Sequence, residues 1–174
     1  MKRVLYRIFI VAVLFILSAG SVFAFDGGFF DFGAEANGNS PTGLAVGGSL
    51  SMGLNLSTNW AVGMKTAFSY AEEVSTLEPC ILFRWFTPFG NMIFYAQVEL
   101  GTAILFEENN SHFTYMGGLA AGLKVPMGKG LYITPVLRVG YPFIWGAGLT
   151  FGMAFNSNTP YVSDINENKE IINR

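Results

Sequence analysis

The chain has 174 residues, 51% of them hydrophobic and 16% aromatic, with only 13% charged, one His, one Cys and a formal net charge of −2. That balance leaves no electrostatic footprint for nucleic acid, and the lone Cys80 excludes an internal disulfide framework. The length suits one domain, but one far greasier and richer in rings than an ordinary secreted soluble protein.

Lys2, Arg3 and Arg7 make a charged start, and Ile8 to Leu17 an apolar run too short for a comfortable membrane span. Small residues follow, ending in Val22-Phe23-Ala24. The pattern predicts a signal peptide over 1–24, cleaved after Ala24, so the chain is exported. No cysteine follows the signal to take a lipid. The mature part keeps all 12 acids and loses three bases, for a formal charge of −5. It holds no long uninterrupted apolar run, hence no helical span, but it alternates throughout.

A first strand is predicted from Phe29 to Asn37, with Phe30, Phe32, Ala34 and Ala36 on one side and Asp31, Gly33 and Glu35 on the other. In Gly43–Asn55 the even positions Leu44, Val46, Leu50, Met52 and Leu54 are apolar, and the odd positions are small or polar. After Ser57-Thr58-Asn59 the period of 2 resumes from Trp60 to Ala71, so the two segments form a hairpin. Further strands are predicted at 76–86, 92–106, 113–125, 131–141 and 146–155, joined at Glu72–Ser75, Thr87–Asn91, Glu107–His112, Pro126–Gly130 and Pro142–Trp145. Pro79 and Pro135 fall inside strands on the apolar side, where each removes a ladder hydrogen bond and suggests a bulge.

The eight strands are each near the ~10 residues that cross a bilayer when tilted, and closing them leaves no free edge. One parity is greasy and the other is rich in Gly, Ala and Ser, as in a barrel whose outside meets lipid. The fold class is therefore all-β, an eight-stranded antiparallel up-and-down transmembrane β-barrel over 25–155, followed by a polar tail, 156–174. Rings gather at predicted strand ends: Trp60, Trp85, Phe86, Phe94 and Phe155 at one, and Tyr70, Phe106, Phe113, Tyr115, Tyr141 and Trp145 at the other. Amphipathic rings favour the two membrane–water boundaries. Both termini lie on one side, which is periplasmic for such barrels.

Inside, the parity collects Asp31, Glu35, Glu78 and Glu99 with Lys65, Arg84, Lys124 and Arg138, a set of zero net charge. Isolated charges there would cost several kcal/mol each, so a salt-bridge network across the lumen is expected. It reads either as a polar core that blocks the barrel or as a selectivity constriction in a narrow pore. The many inward Gly and Ala residues suggest unfilled volume. No catalytic pair is visible: His112 adjoins Ser111 in a loop, where neighbours in sequence cannot form the usual nucleophile–base geometry. The loop Glu107, Glu108, Asn109, Asn110 and His112 has no diagnostic ligand spacing, and Cys80 reads as a small lumen packing residue. No cofactor or metal is expected.

The last strand, Gly148-Leu149-Thr150-Phe151-Gly152-Met153-Ala154-Phe155, is similar to the terminal signal read by the barrel-assembly machinery: a glycine, alternate apolar residues, then an aromatic. With it, the chain to Phe155 resembles the small eight-stranded outer-membrane barrels of diderm bacteria, the group around OmpA, OmpX and OmpW. The resemblance implies an integral outer-membrane protein without enzymatic activity, partnered by outer-membrane lipid and, during insertion, by the assembly machinery. Its role would be structural in the envelope, or passive transfer of small hydrophobic solutes. The inner wall and the apolar loop Pro142, Phe143, Ile144 and Trp145 motivate the transfer reading. The rival architectures are a soluble lipocalin-like barrel with its apolar face inward, and a lipid-modifying barrel enzyme, for which no activated nucleophile is seen.

Overall fold

A computed structural model describes residues 27–39, 43–71, 74–107 and 110–155. The expected signal peptide and polar tail lie outside the described residues, as do parts of three loops (40–42, 72–73 and 108–109). The chain forms eight strands: β1 (Gly28–Asn39), β2 (Gly43–Asn55), β3 (Trp60–Ala71), β4 (Val74–Phe89), β5 (Met92–Glu107), β6 (Asn110–Gly128), β7 (Leu131–Tyr141) and β8 (Trp145–Phe155). Each pairs antiparallel with the next, and β8 returns to β1, with Phe155 opposite Gly28 and Phe151 opposite Phe32, so the barrel is closed. Closure leaves no free sheet edge, which lets strands cross a medium without water.

The parity is inside-out relative to a soluble protein. Leu50, Phe68 and Leu137 are 43%, 49% and 67% exposed on the outer wall, while Asp31, Lys65, Glu99 and Arg138 are buried within. A soluble carrier would need those three apolar side chains to converge on a common centre, so the lipocalin-like architecture is excluded. Water would meet a continuous greasy wall, whereas hydrocarbon meets it without penalty.

The boundaries of β2, β3 and β7 are those that alternation predicts, but the neighbouring strands run further. Thr87 to Phe89, expected in a turn, continue β4 with Pro88 opposite Ile93, and the turn shrinks to Gly90-Asn91. Gly90 takes a φ of 61°, the left-handed first position that a two-residue hairpin requires. Likewise Pro126 to Gly128 extend β6 through an irregularity between Pro126 and Gly128, leaving Lys129 (φ 53°) and Gly130 (φ 77°) as the turn. Asn110 to His112, expected in a loop, pair with β5 as the tip of a long hairpin.

Pro79 and Pro135 differ from expectation in an informative way. Pro79 sits opposite Thr66 of β3, and pairing toward β5 lapses at that point. Pro135 sits opposite Leu149 of β8, and pairing toward β6 lapses. On both sides the register resumes unchanged, so each proline costs a local stretch of ladder on one flank without a bulge. The ring belts form as expected with one exception. Phe86 points inward and is buried among Phe29, Leu82 and Tyr95, because its parity is that of Arg84 and not of Trp85.

Candidate functional site

The lumen is where this chain concentrates its chemistry, and it is built in storeys. At the end that carries Gly28 and Phe155, the inward positions of β1, β3, β4 and β5 supply Phe29, Ala61, Leu82, Phe86 and Tyr95, a buried cluster with Ile93 and Val136 packed against it. Phe86 and Tyr95 meet edge-on at 6.4 Å. Two cations are embedded in this cluster. The Arg84 guanidinium lies 4.3 Å from the ring centres of both Phe29 and Tyr95. The Lys124 ammonium lies 4.2 Å from Tyr132, 4.9 Å from Phe86 and 5.3 Å from Phe29. Ring faces attract cations, and more strongly once water is displaced.

Above the rings, Asp31 is a hub. One of its carboxylate oxygens accepts from Ser51 Oγ at 3.1 Å and from Arg84 Nη1 at 3.0 Å, and the other accepts from the Tyr132 hydroxyl. Arg84 also donates through Nε to Gln97 Oε1 at 2.7 Å, and Gln97 Nε2 donates to Glu99 Oε1 at 2.6 Å. Gln97 thus couples this group to a second one at mid-barrel. There Lys65 pairs with Glu35 at 2.7 Å and Glu99 at 3.3 Å. Arg138 pairs with Glu78 at 2.8 Å, Glu99 at 3.4 Å and Glu35 at 3.6 Å.

None of these ion pairs joins hydrogen-bonded neighbours. Lys65 on β3 reaches β1 and β5, Arg84 on β4 reaches β1, and Arg138 on β7 reaches β1, β4 and β5. The charges brace strands across the lumen. All eight residues singled out in the sequence point inward and are buried, and seven of them share in the pairs. Lys124 stands apart: among the described residues no carboxylate pairs with it, and its surroundings are rings.

The inward glycines do not leave the room expected of them. Gly53, Gly122, Gly146 and Gly152 are slots for neighbouring side chains, whereas at Gly33, Gly47, Gly63 and Gly101 an added Cβ would meet the next strand's backbone. A Cβ on Gly122 would lie 2.5 Å from the Tyr95 ring, and one on Gly53 would lie 2.6 Å from the Phe29 ring. On Gly152 it would lie 2.1 Å from the Tyr132 ring and 2.4 Å from Asp31. On Gly146 it would strike Asn37 and Arg138. Small residues on one strand thus admit a ring or a charged side chain from the next, as close packing demands.

No family model matches the chain, and no curated protein matches it. Solved structures do match. The N-terminal β-barrel domain of Pseudomonas aeruginosa OprF superposes with a TM-score of 0.57 at 15% identity, over 74% of this chain and 96% of that one. Neisserial surface protein A gives 0.54 at 12%, over 75% and 97%. Ail, the attachment invasion locus protein of Yersinia pestis, gives 0.52 at 13%, over 74% and 99%. The fold is that of the small outer-membrane β-barrels.

As in an outer-membrane barrel, rings ring both ends of the outer wall. Trp60 stacks on Phe83 at 4.9 Å near one end, and Tyr115 on Tyr141 at 4.9 Å near the other. The other side chains weighed in the sequence fall away from the lumen network or serve packing. Cys80 is buried against Ala103 and Met116 in a small apolar cluster. Glu107, Asn110 and His112 are exposed at the tip of the β5–β6 hairpin, and Glu108 and Asn109 lie outside the described residues. In the β7–β8 connection, Pro142 and Phe143 are buried and only Ile144 and Trp145 are exposed, so that loop is not the outward apolar surface its composition suggested. Sequence reasoning missed Tyr132 and Ser51 as donors to Asp31 and the ring cage of Lys124. All of these share the parity of the charges, so parity was the signal available.

Proposed function

We propose that this protein is an integral, non-enzymatic barrel of a bacterial outer membrane, serving the envelope as a closed structural element and not as an aqueous pore. It would be exported by the segment 1–24 and inserted by the barrel-assembly machinery, with outer-membrane lipid as its standing partner. The observation that carries the closed reading is the cross-braced lumen: rings and Leu82 at one end, then ion pairs between non-adjacent strands. A solute crossing this interior would have to break buried pairs, each costing several kcal/mol to separate. Transfer of small hydrophobic molecules is less favoured, since side chains fill the space at Gly53, Gly122, Gly146 and Gly152 and half of the apolar loop is buried.

The reading is tested by reconstituting purified protein in planar bilayers. A quiet current across the working voltage range is expected, with no solute flux from loaded liposomes. Regular single-channel openings, or flux above empty liposomes, would overturn it.

A further inference from the structure

We propose that the outer wall over β5 and β6 holds one acyl chain of a membrane lipid in a defined groove. This rests on the membrane reading above and goes beyond it, because a barrel in a bilayer needs no preferred lipid position. The wall is concave here, an open depression of about 580 Å³, within the range of small-ligand sites. The cause is local. Ala96 and Ala121 face each other across the β5–β6 ladder and offer only methyl groups to the outside. To one side rise Trp60 and Phe83, stacked at 4.9 Å, with Trp85 at 6.4 Å from Trp60. To the other side rise Leu137 and Val139 of β7, both well exposed.

Three features choose hydrocarbon over other occupants. First, every outward side chain lining the groove is apolar, so nothing there would recognise a polar headgroup or a charged protein segment. Second, the groove starts at the Trp60–Trp85 belt on the end that carries both termini and crosses β5 and β6 to Leu137 and Val139 of β7, the latter opposite Trp145. A chain whose headgroup sits at the tryptophan level would lie along the groove. Third, the walls on β4 and β7 stand three strand spacings apart, roughly 14 Å, over a floor of β5 and β6 on which Val98 and Leu119 stand beside the alanine pair. This is a slot for a chain, not the ~1,000 Å² face of a stable dimer. Because lipid and wall are equally apolar, the preference comes from packing against rigid rings, so slower exchange is expected and not tight binding.

The test is electron paramagnetic resonance of the full barrel in phosphatidylcholine vesicles containing phosphatidylcholine spin-labelled near the end of one acyl chain. The readout is the motionally restricted lipid per barrel. The double variant A96L/A121L fills the floor. A36L/A147L makes the same change at a paired Ala–Ala site outside the groove, where Ala36 faces Ala147 across β1 and β8 and Ala147 lies beyond the Leu137 wall. The expected result is loss of about one restricted chain per barrel in A96L/A121L and none in A36L/A147L, with both variants keeping the heat-dependent gel shift of the folded barrel. An unchanged count in A96L/A121L, or an equal loss in both variants, overturns the proposal. Crosslinked dimers that vanish in A96L/A121L would assign the groove to a second copy instead. Absence of any restricted component even in the parent protein would defeat the membrane reading itself, a distinct failure.

Discussion

Replacing Arg138 with Met should be the most damaging single change in the lumen. The guanidinium stands 2.8 Å from Glu78, 3.4 Å from Glu99 and 3.6 Å from Glu35. Each attraction is worth about 5–6 kcal/mol at an effective dielectric of about 20. Desolvation of the buried guanidinium and repulsion from Lys65 offset much of that sum. Its removal, however, leaves three buried carboxylates facing Lys65 alone, which brings the expected loss to about 3–5 kcal/mol. The assay is urea-titrated reversible folding into phosphatidylcholine vesicles, followed by the fluorescence of Trp60, Trp85 and Trp145, which all sit on the outer wall. The double variant Glu78→Met with Arg138→Met removes a 2.8 Å pair together and restores the mid-barrel charge balance, so it should recover at least about 1 kcal/mol of the single variant's loss. A single-variant loss below about 1 kcal/mol, or a double variant worse than the sum of its parts, would refute the idea that these charges brace the barrel.

Lys124→Met should behave oppositely, staying within about 1 kcal/mol of the parent in the same titration, because it removes a buried cation that rings surround but no carboxylate pairs, with the attraction of Asp31 opposed by the repulsion of Arg84. Gly152→Ala drives a methyl group against Tyr132 and Asp31 and should cost about 1–3 kcal/mol by overpacking. Gly117→Ala, whose added carbon meets nothing nearer than Leu100 at 3.7 Å, should leave the urea midpoint unmoved. On the lipid face, Leu50→Lys in the middle of β2 should cost about 2–4 kcal/mol, and Leu44→Lys near the strand end about 0–1 kcal/mol. Equal costs would mean that depth in the bilayer does not govern the outer wall.

Most of the architecture was legible because one face of every strand meets an apolar phase. Wherever a strand separates hydrocarbon from lumen, as from Gly43 to Ala71, the side-chain period announces both its limits and its orientation. The signal fades where that separation ends. Asn110 to His112 pair with β5 at the ring belt and past it, with Ser111 opposite Phe106, and because all three are polar and exposed no alternation marks them. Thr87-Pro88-Phe89 carried turn chemistry, yet Pro88 is tolerated near the strand end, and Gly90 alone supplies the backbone freedom the hairpin needs. The lumen was legible as a list but not as a mesh. Parity says that Arg138 and Glu78 both point inward, but only the closed ring brings β7 within reach of β4. Glycine was the misleading residue. A small side chain in sequence suggests space, whereas Gly122 and Gly152 are where Tyr95 and Tyr132 fit.

The direct test of which face meets lipid is a spin-label scan along β2, one label at a time from Val46 to Leu54, in reconstituted bilayers. Collision with oxygen, which concentrates in hydrocarbon, should be high at Val46, Gly48, Leu50, Met52 and Leu54 and low at the positions between them, with a polar nickel reagent reaching neither set. A flat profile, or oxygen access peaking at Ser49, Ser51 and Gly53, would contradict the lipid-facing assignment on which the structural and functional reading depends.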